Sequence, residues 1–161
     1  MDQSTPTGTR DAGSRAPARS WLTVPELAVF LRDLLDRDEH DDALRFMLDG
    51  LNKIDEVLLT SLPLDDDSQS AEGAPSPALL EFLAEPPSLG DERWDTLLAC
   101  STAHVARRRG VAPPAWTAKP SLQQWWWPAG EKRRRALTMQ RTPTDFRRVG
   151  IWFSERNFLT A

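Results

Sequence analysis

Residues 91–109, DERWDTLLACSTAHVARRR, are the stretch on which the fold turns. Trp94, Leu97, Leu98, Ser101 and Val105 recur at helical spacing, so the segment predicts an α-helix with one apolar face. Asp91 and Glu92 stand at its positive end and Arg107, Arg108 and Arg109 at its negative end, as the helix dipole favours. Gly110 occupies the position just past the last turn, and Pro113-Pro114 forbids continuation.

Upstream, the same reasoning gives two more helices. Thr23 and Glu26 have the spacing of a capping box, and Pro25 falls in the first turn, where its missing N–H is harmless. Leu27, Phe30, Leu31, Leu34 and Leu35 carry the helical period to a charge cluster at Asp36 to Asp42. A second helix is predicted from about Asp42 to Thr60, with Leu44, Met47, Leu48, Leu51, Ile54, Val57 and Leu58 on one broad stripe. Gly50 inside it costs up to ~1 kcal/mol against alanine, which points to a close helix crossing there. Together, residues 21–62 predict an antiparallel helical hairpin. Residues 63–75, PLDDDSQSAEGAP, read as an acidic linker, and residues 1–20 as a disordered tail with almost nothing apolar. Between Ser76-Pro77 and Pro86-Pro87, the run ALLEFLAE predicts a short helix.

Downstream the texture changes. Residues 115–130, AWTAKPSLQQWWWPAG, have no clean period and read as irregular packed chain. A short helix follows from about Glu131 to Gln140. Thr142-Pro143-Thr144-Asp145 predicts a fresh helix start, with Thr142 as cap and Pro143 in the first position. Val149 to Phe153, VGIWF, is the one strand-like run. The expected fold is mainly α: an N-terminal helical hairpin plus an α-rich, Trp-packed C-terminal lobe over residues 76–161, with at most one short strand pair.

Charge divides the chain. From Leu22 to Cys100 there are 19 acidic and 5 basic residues, and from Ser101 to Ala161 there are 3 acidic and 12 basic, within a net charge of −4. Such asymmetry fits two halves that neutralise each other, or a polyanionic partner for the basic half. The chain has no long apolar run and no apolar signal core at its start, so a cytoplasmic location without membrane contact is expected.

Nothing in the sequence marks an enzyme. Phosphate-loop, dinucleotide, nucleophile-elbow and zinc-protease motifs are all missing. Cys100 and His104 are one helical turn apart, as a thiol–base pair would be, but no third orienting group can be assigned. The expectation is a small buried cysteine beside a surface histidine. One cysteine and two histidines give no metal-ligand set, and Asp65-Asp66-Asp67 lacks the turn glycine and distal glutamate of a calcium loop. No catalytic residue, metal or cofactor is therefore expected.

The tryptophans and arginines are the remaining signal. Five of seven tryptophans, Trp116, Trp125, Trp126, Trp127 and Trp152, lie in the basic half, and tyrosine is absent. Three consecutive tryptophans cannot all point one way, so at least one is expected to be exposed or at a contact. Packing of an irregular lobe is the leading reading of the block. An exposed Trp beside Arg is also the mark of a protein interface, and of a single-strand stacking platform on nucleic acid. The candidate partner-binding residues are Trp125, Trp126, Trp127, Arg133, Arg134, Arg135, Arg147, Arg148 and Trp152. No helix-turn-helix for DNA reading is visible, and both hairpin helices are acidic overall.

Residues 91–117, then WWWPAG, then ALTMQRTPTDFRRVGIWF resemble a pattern in actinobacterial antitoxin-type proteins. There a WDxLLAxxAxHxARR helix is followed by G(V/L)xPPAWT, a W(W/F)xP element and a closing FRRRGIFI-like segment. The matching positions here are Trp94, Leu97, Leu98, His104, Arg107, Pro113, Pro114, Trp116, Trp126, Pro128, Phe146, Arg147, Arg148, Gly150 and Phe153. The resemblance implies a non-enzymatic protein that neutralises a nucleotidyltransferase-like toxin by direct binding. The Xre helix-turn-helix often found in that family has no counterpart here, so only the partner-binding part is implied. A nucleic-acid-binding module built on the Trp/Arg-rich lobe is the alternative. The oligomeric state is left open.

Overall fold

The computed structural model describes residues 22–61, 77–130, 134–154 and 156. The predicted tail and linker, Trp21, and Glu131 to Arg133 lie outside the described residues. Six α-helices follow in order: α1 (Val24–Asp36), α2 (His40–Ser61), α3 (Pro77–Phe82), α4 (Glu92–Arg108), α5 (Arg135–Arg141) and α6 (Thr144–Arg148), with a 3-10 turn at Ala115–Thr117. Among the described residues there is no sheet, only an isolated parallel bridge between Trp126 and Ile151. The fold is mainly α.

The hairpin forms as its sequence dictates. Thr23 caps α1: its hydroxyl accepts from the Glu26 N–H, and the Glu26 carboxylate accepts from the Thr23 N–H at 2.7 Å. Val24, Leu27, Ala28 and Leu31 of α1 and Ala43, Met47, Leu51, Ile54 and Leu58 of α2 are buried at the crossing. Gly50 of α2 faces the Leu27 side chain of α1. A Cβ there would sit 2.7 Å from Leu27 Cδ1, so the Leu27 side chain would have to shift to admit any larger residue. Phe30, expected on the buried stripe, is half exposed and leans on Phe46 instead.

The central helix differs from its expectation. α4 has no single apolar face: every residue from Thr96 to Ala106 is buried. α2, α6 and the 3-10 turn all pack against it. Ala99, Ser101, Thr102 and Ala103 are small enough to let neighbours approach on the remaining sides, and the Thr102 hydroxyl donates back to the Leu98 carbonyl at 2.8 Å. The end is as predicted. Gly110 takes a left-handed φ of 70°, its N–H donates to the Arg107 carbonyl, and the Val111 N–H donates to that of Ala106. One hydrophobic cluster runs from Val24 through α4 to Phe153.

The last third holds three further corrections. Thr142 does not cap α6, whose N-cap is Pro143 with no side-chain bond. Its buried hydroxyl instead donates to the Thr138 carbonyl at 2.7 Å and accepts from the Phe153 N–H at 3.2 Å. Helix α5 begins at Arg135, later than the predicted start. VGIWF is not a strand. Val149 and Gly150 form the turn that ends α6, with Gly150 at a left-handed φ of 77°, and the run pairs with the Trp segment through the Leu122 N–H to Val149 O, Trp126 N–H to Gly150 O and Trp152 N–H to Trp126 O bonds. These bonds satisfy the backbone of an irregular lobe that has no sheet to do so.

Candidate functional site

The extended backbone through Trp125, Trp126 and Trp127 explains their placement, because successive side chains in extended chain point to opposite sides. Trp126 turns inward. Its ring meets Trp94 edge-on at 5.5 Å, and Trp94 in turn stacks on His40 at 5.9 Å, tying the lobe to the hairpin turn. Arg93 covers Trp126 at 5.5 Å. Trp125 and Trp127 turn the other way, onto Trp152. Trp125 meets Trp152 edge-on at 5.3 Å, and Trp127 stacks on it at 6.4 Å. The Arg135 guanidinium lies 4.4 Å over Trp127. Trp125, Trp152, Trp127 and Arg135 therefore form one ladder with its free end at Trp125, which is 62% exposed.

The ladder assembles four of the predicted residues. The indole N–H groups of Trp127 and Trp152 are buried in it with no acceptor among the described residues. Arg134 is exposed at the start of α5. Arg147 has an internal role: its guanidinium donates to the Thr142 carbonyl at 2.7 Å and the Gln140 carbonyl at 2.9 Å, closing the end of α5. Arg148 belongs elsewhere, on the wall of a cleft described below. Arg133 lies outside the described residues.

The Cys100–His104 pair also reads differently in three dimensions. His104 is buried, not on the surface. A third group does stand beside it: Asp145 on α6 lies 3.4 Å from His104 Nδ1 and also accepts from Arg107. Sequence could not supply this partner, because it is 41 positions away on a separate helix. The constellation nonetheless lacks an activated nucleophile. Burial, then the negative charge of Asp145, push the Cys100 thiol well above its ordinary pKa, and the thiol donates to the Leu97 carbonyl. His104, Arg107 and Asp145 act as a polar clasp between α4 and α6, with Phe146 edge-on to the imidazole at 5.7 Å.

An open cleft of about 620 Å³ borders this clasp. Arg107, Asp145 and Arg148 line it from the helices, Thr117 from the 3-10 turn, and Lys119 and Ser121 from the loop that follows. Between the acidic and basic halves, one ion pair joins the described residues, Arg109 with Asp55, where Nε donates at 2.8 Å. The other ion pairs between described residues stay within one half. Among the described residues no helix is long and apolar enough to cross a membrane, and no three His, Cys, Asp or Glu side chains gather as metal ligands do. No family model, curated protein or solved structure matches the chain.

Proposed function

We propose that this chain is a non-enzymatic protein-binding component that docks a partner through the Trp125 end of the aromatic ladder. What supports the reading is a large indole held exposed on a rigid support of Trp152, Trp127 and Arg135. Such an anchor loses little conformational freedom on binding, and Trp and Arg dominate interface hot spots. Covering the exposed part of Trp125 removes on the order of 150 Å² of surface from water, a gross gain of ~3 kcal/mol. The protonated thiol of Cys100 supports the non-enzymatic side of the proposal. The resemblance to antitoxin-type proteins makes a nucleotidyltransferase-like toxin the partner class we propose, and the exposed acids of the hairpin turn, Asp36, Asp38, Asp41 and Asp42, complement a basic nucleotide-binding face.

The test is copurification of tagged wild-type and Trp125→Ala protein from the native host after nuclease treatment. A stoichiometric protein retained by the first and lost by the second is expected. Expressed alone, that protein should arrest growth, and co-expression of this chain should relieve the arrest. Retention by both proteins would overturn the docking site, and a captured protein without toxicity would overturn the antitoxin role. Material that disappears with nuclease would favour the nucleic-acid alternative instead.

A further inference from the structure

The cleft beside the α4–α6 clasp carries a charge imbalance that the protein-docking reading does not use. Three cations line it, Arg107, Lys119 and Arg148, against a single carboxylate, Asp145. Asp145 is already engaged by Arg107 and His104. Arg148 and Lys119 make no ion pair with any described residue, so neither is tied to a carboxylate and both can turn to a ligand in the cleft. Lys119 also borders a smaller hollow of about 100 Å³ with Glu85 and Asp95. Asp95 is held there by the Ser88 hydroxyl and the Leu89 N–H, both at 2.7 Å. The Ser121 hydroxyl adds a donor on the loop side of the larger cleft, while the Thr117 hydroxyl donates to the Pro114 carbonyl at 2.7 Å, and Ala103 and Val149 give the cleft an apolar wall.

We propose that this cleft binds a small ligand through a di- or polyphosphate group, held between Arg148 and Lys119. The volume lies within the ~300–1,000 Å³ of small-molecule sites. A guanidinium matches two phosphate oxygens at once, while an ammonium serves as a point charge beside it. Arg107 stays on Asp145 and shapes the floor. Free pyrophosphate and the polyphosphate of a nucleotide share this chemistry, and the apolar wall is where a nucleotide would place its remaining bulk. The site is separate from the Trp125 ladder, so it stands or falls on its own.

Calorimetric titration of the full chain with pyrophosphate, ATP and citrate tests the proposal. Pyrophosphate and ATP should bind, and Arg148→Gln and Lys119→Gln should each weaken both by about tenfold, the order expected for a lost bond to a charged group. Both side chains lie outside the core, so the variants should keep the wild-type melting temperature. Trp125→Ala should bind as wild type does, which separates this site from the docking surface. Tighter binding of ATP than of pyrophosphate assigns a nucleotide, and equal binding assigns the phosphate group alone; both uphold the site. No heat up to about 1 mM ligand, unchanged binding in the two variants, or an equal response to citrate would overturn it.

Discussion

The hairpin and the segment from Val111 to Ser154 bury large side chains by opposite means. In α1 and α2 the backbone bonds to itself, and aliphatic stripes meet at a glycine. In the later segment short helices alternate with chain whose backbone bonds across to distant residues, as at Leu122, Trp126 and Trp152, and aromatic rings fill much of the space. Regular helices need only side chains of the right period. An irregular lobe needs each main-chain group placed individually, and tryptophan supplies the area that such a lobe cannot gather from repeated small contacts. The cost is that some aromatic surface stays outside, as at Trp125.

Four substitutions probe that contrast. Phe146→Ala empties the centre of the lobe, where a fully buried ring faces both His104 and Phe153, and should cost about 3–5 kcal/mol in urea unfolding. Gly50→Val crowds the Leu27 side chain between α1 and α2 and should cost about 1–3 kcal/mol. A smaller loss from Gly50→Val than from Phe146→Ala would place the tighter packing in the lobe. Arg109→Ala breaks the ion pair that joins the two regions. With both side chains mostly covered, about 1–2 kcal/mol is expected, between exposed and buried pairs. In the Asp55→Ala background the same change should do almost nothing, and an undiminished effect in that double-mutant cycle would refute the coupling.

The smallest effect is at the start of α4. Asp91→Ala removes the N-cap and should cost about 1 kcal/mol near neutral pH. The Arg93 guanidinium, hydrogen-bonded to the Asp91 carboxylate, holds its pKa below the ordinary value. A depressed folded-state pKa confers stability above about pH 3.9 and loses it as the pH falls through the folded value. The difference between wild type and variant should therefore shrink below about pH 4, and a constant difference would show that the charge is irrelevant.

The hairpin was legible because Leu27, Leu31, Met47, Leu51, Ile54 and Leu58 advertise the helical period and because Thr23 and Glu26 have unambiguous local roles, as Gly110 does at the end of α4. The enclosure of α4 was not legible, since alanine, serine and threonine carry no strong hydropathy signal and are buried by what surrounds them. The turn of Trp126 away from Trp125 and Trp127 follows from extended chain, yet nothing local says that Trp152 receives the other two. The Asp145 clasp and the cleft arise from α6 returning to α4, a long-range event without a motif. Thr142 misled because its residue type and the following proline satisfy the rules of a helix cap, while the preceding turn of α5 and the distant Phe153 N–H offered its hydroxyl two other partners.

The enclosure of α4 bears on how the molecule comes apart. The hairpin rests on α4 through α2, and the lobe rests on it through α6 and the 3-10 turn. Neither region keeps its apolar wall once that helix melts. Cooperativity follows from the shared wall: on heating, the two regions lose structure in a single transition, with equal calorimetric and van't Hoff enthalpies, although their sequences look like two separate pieces.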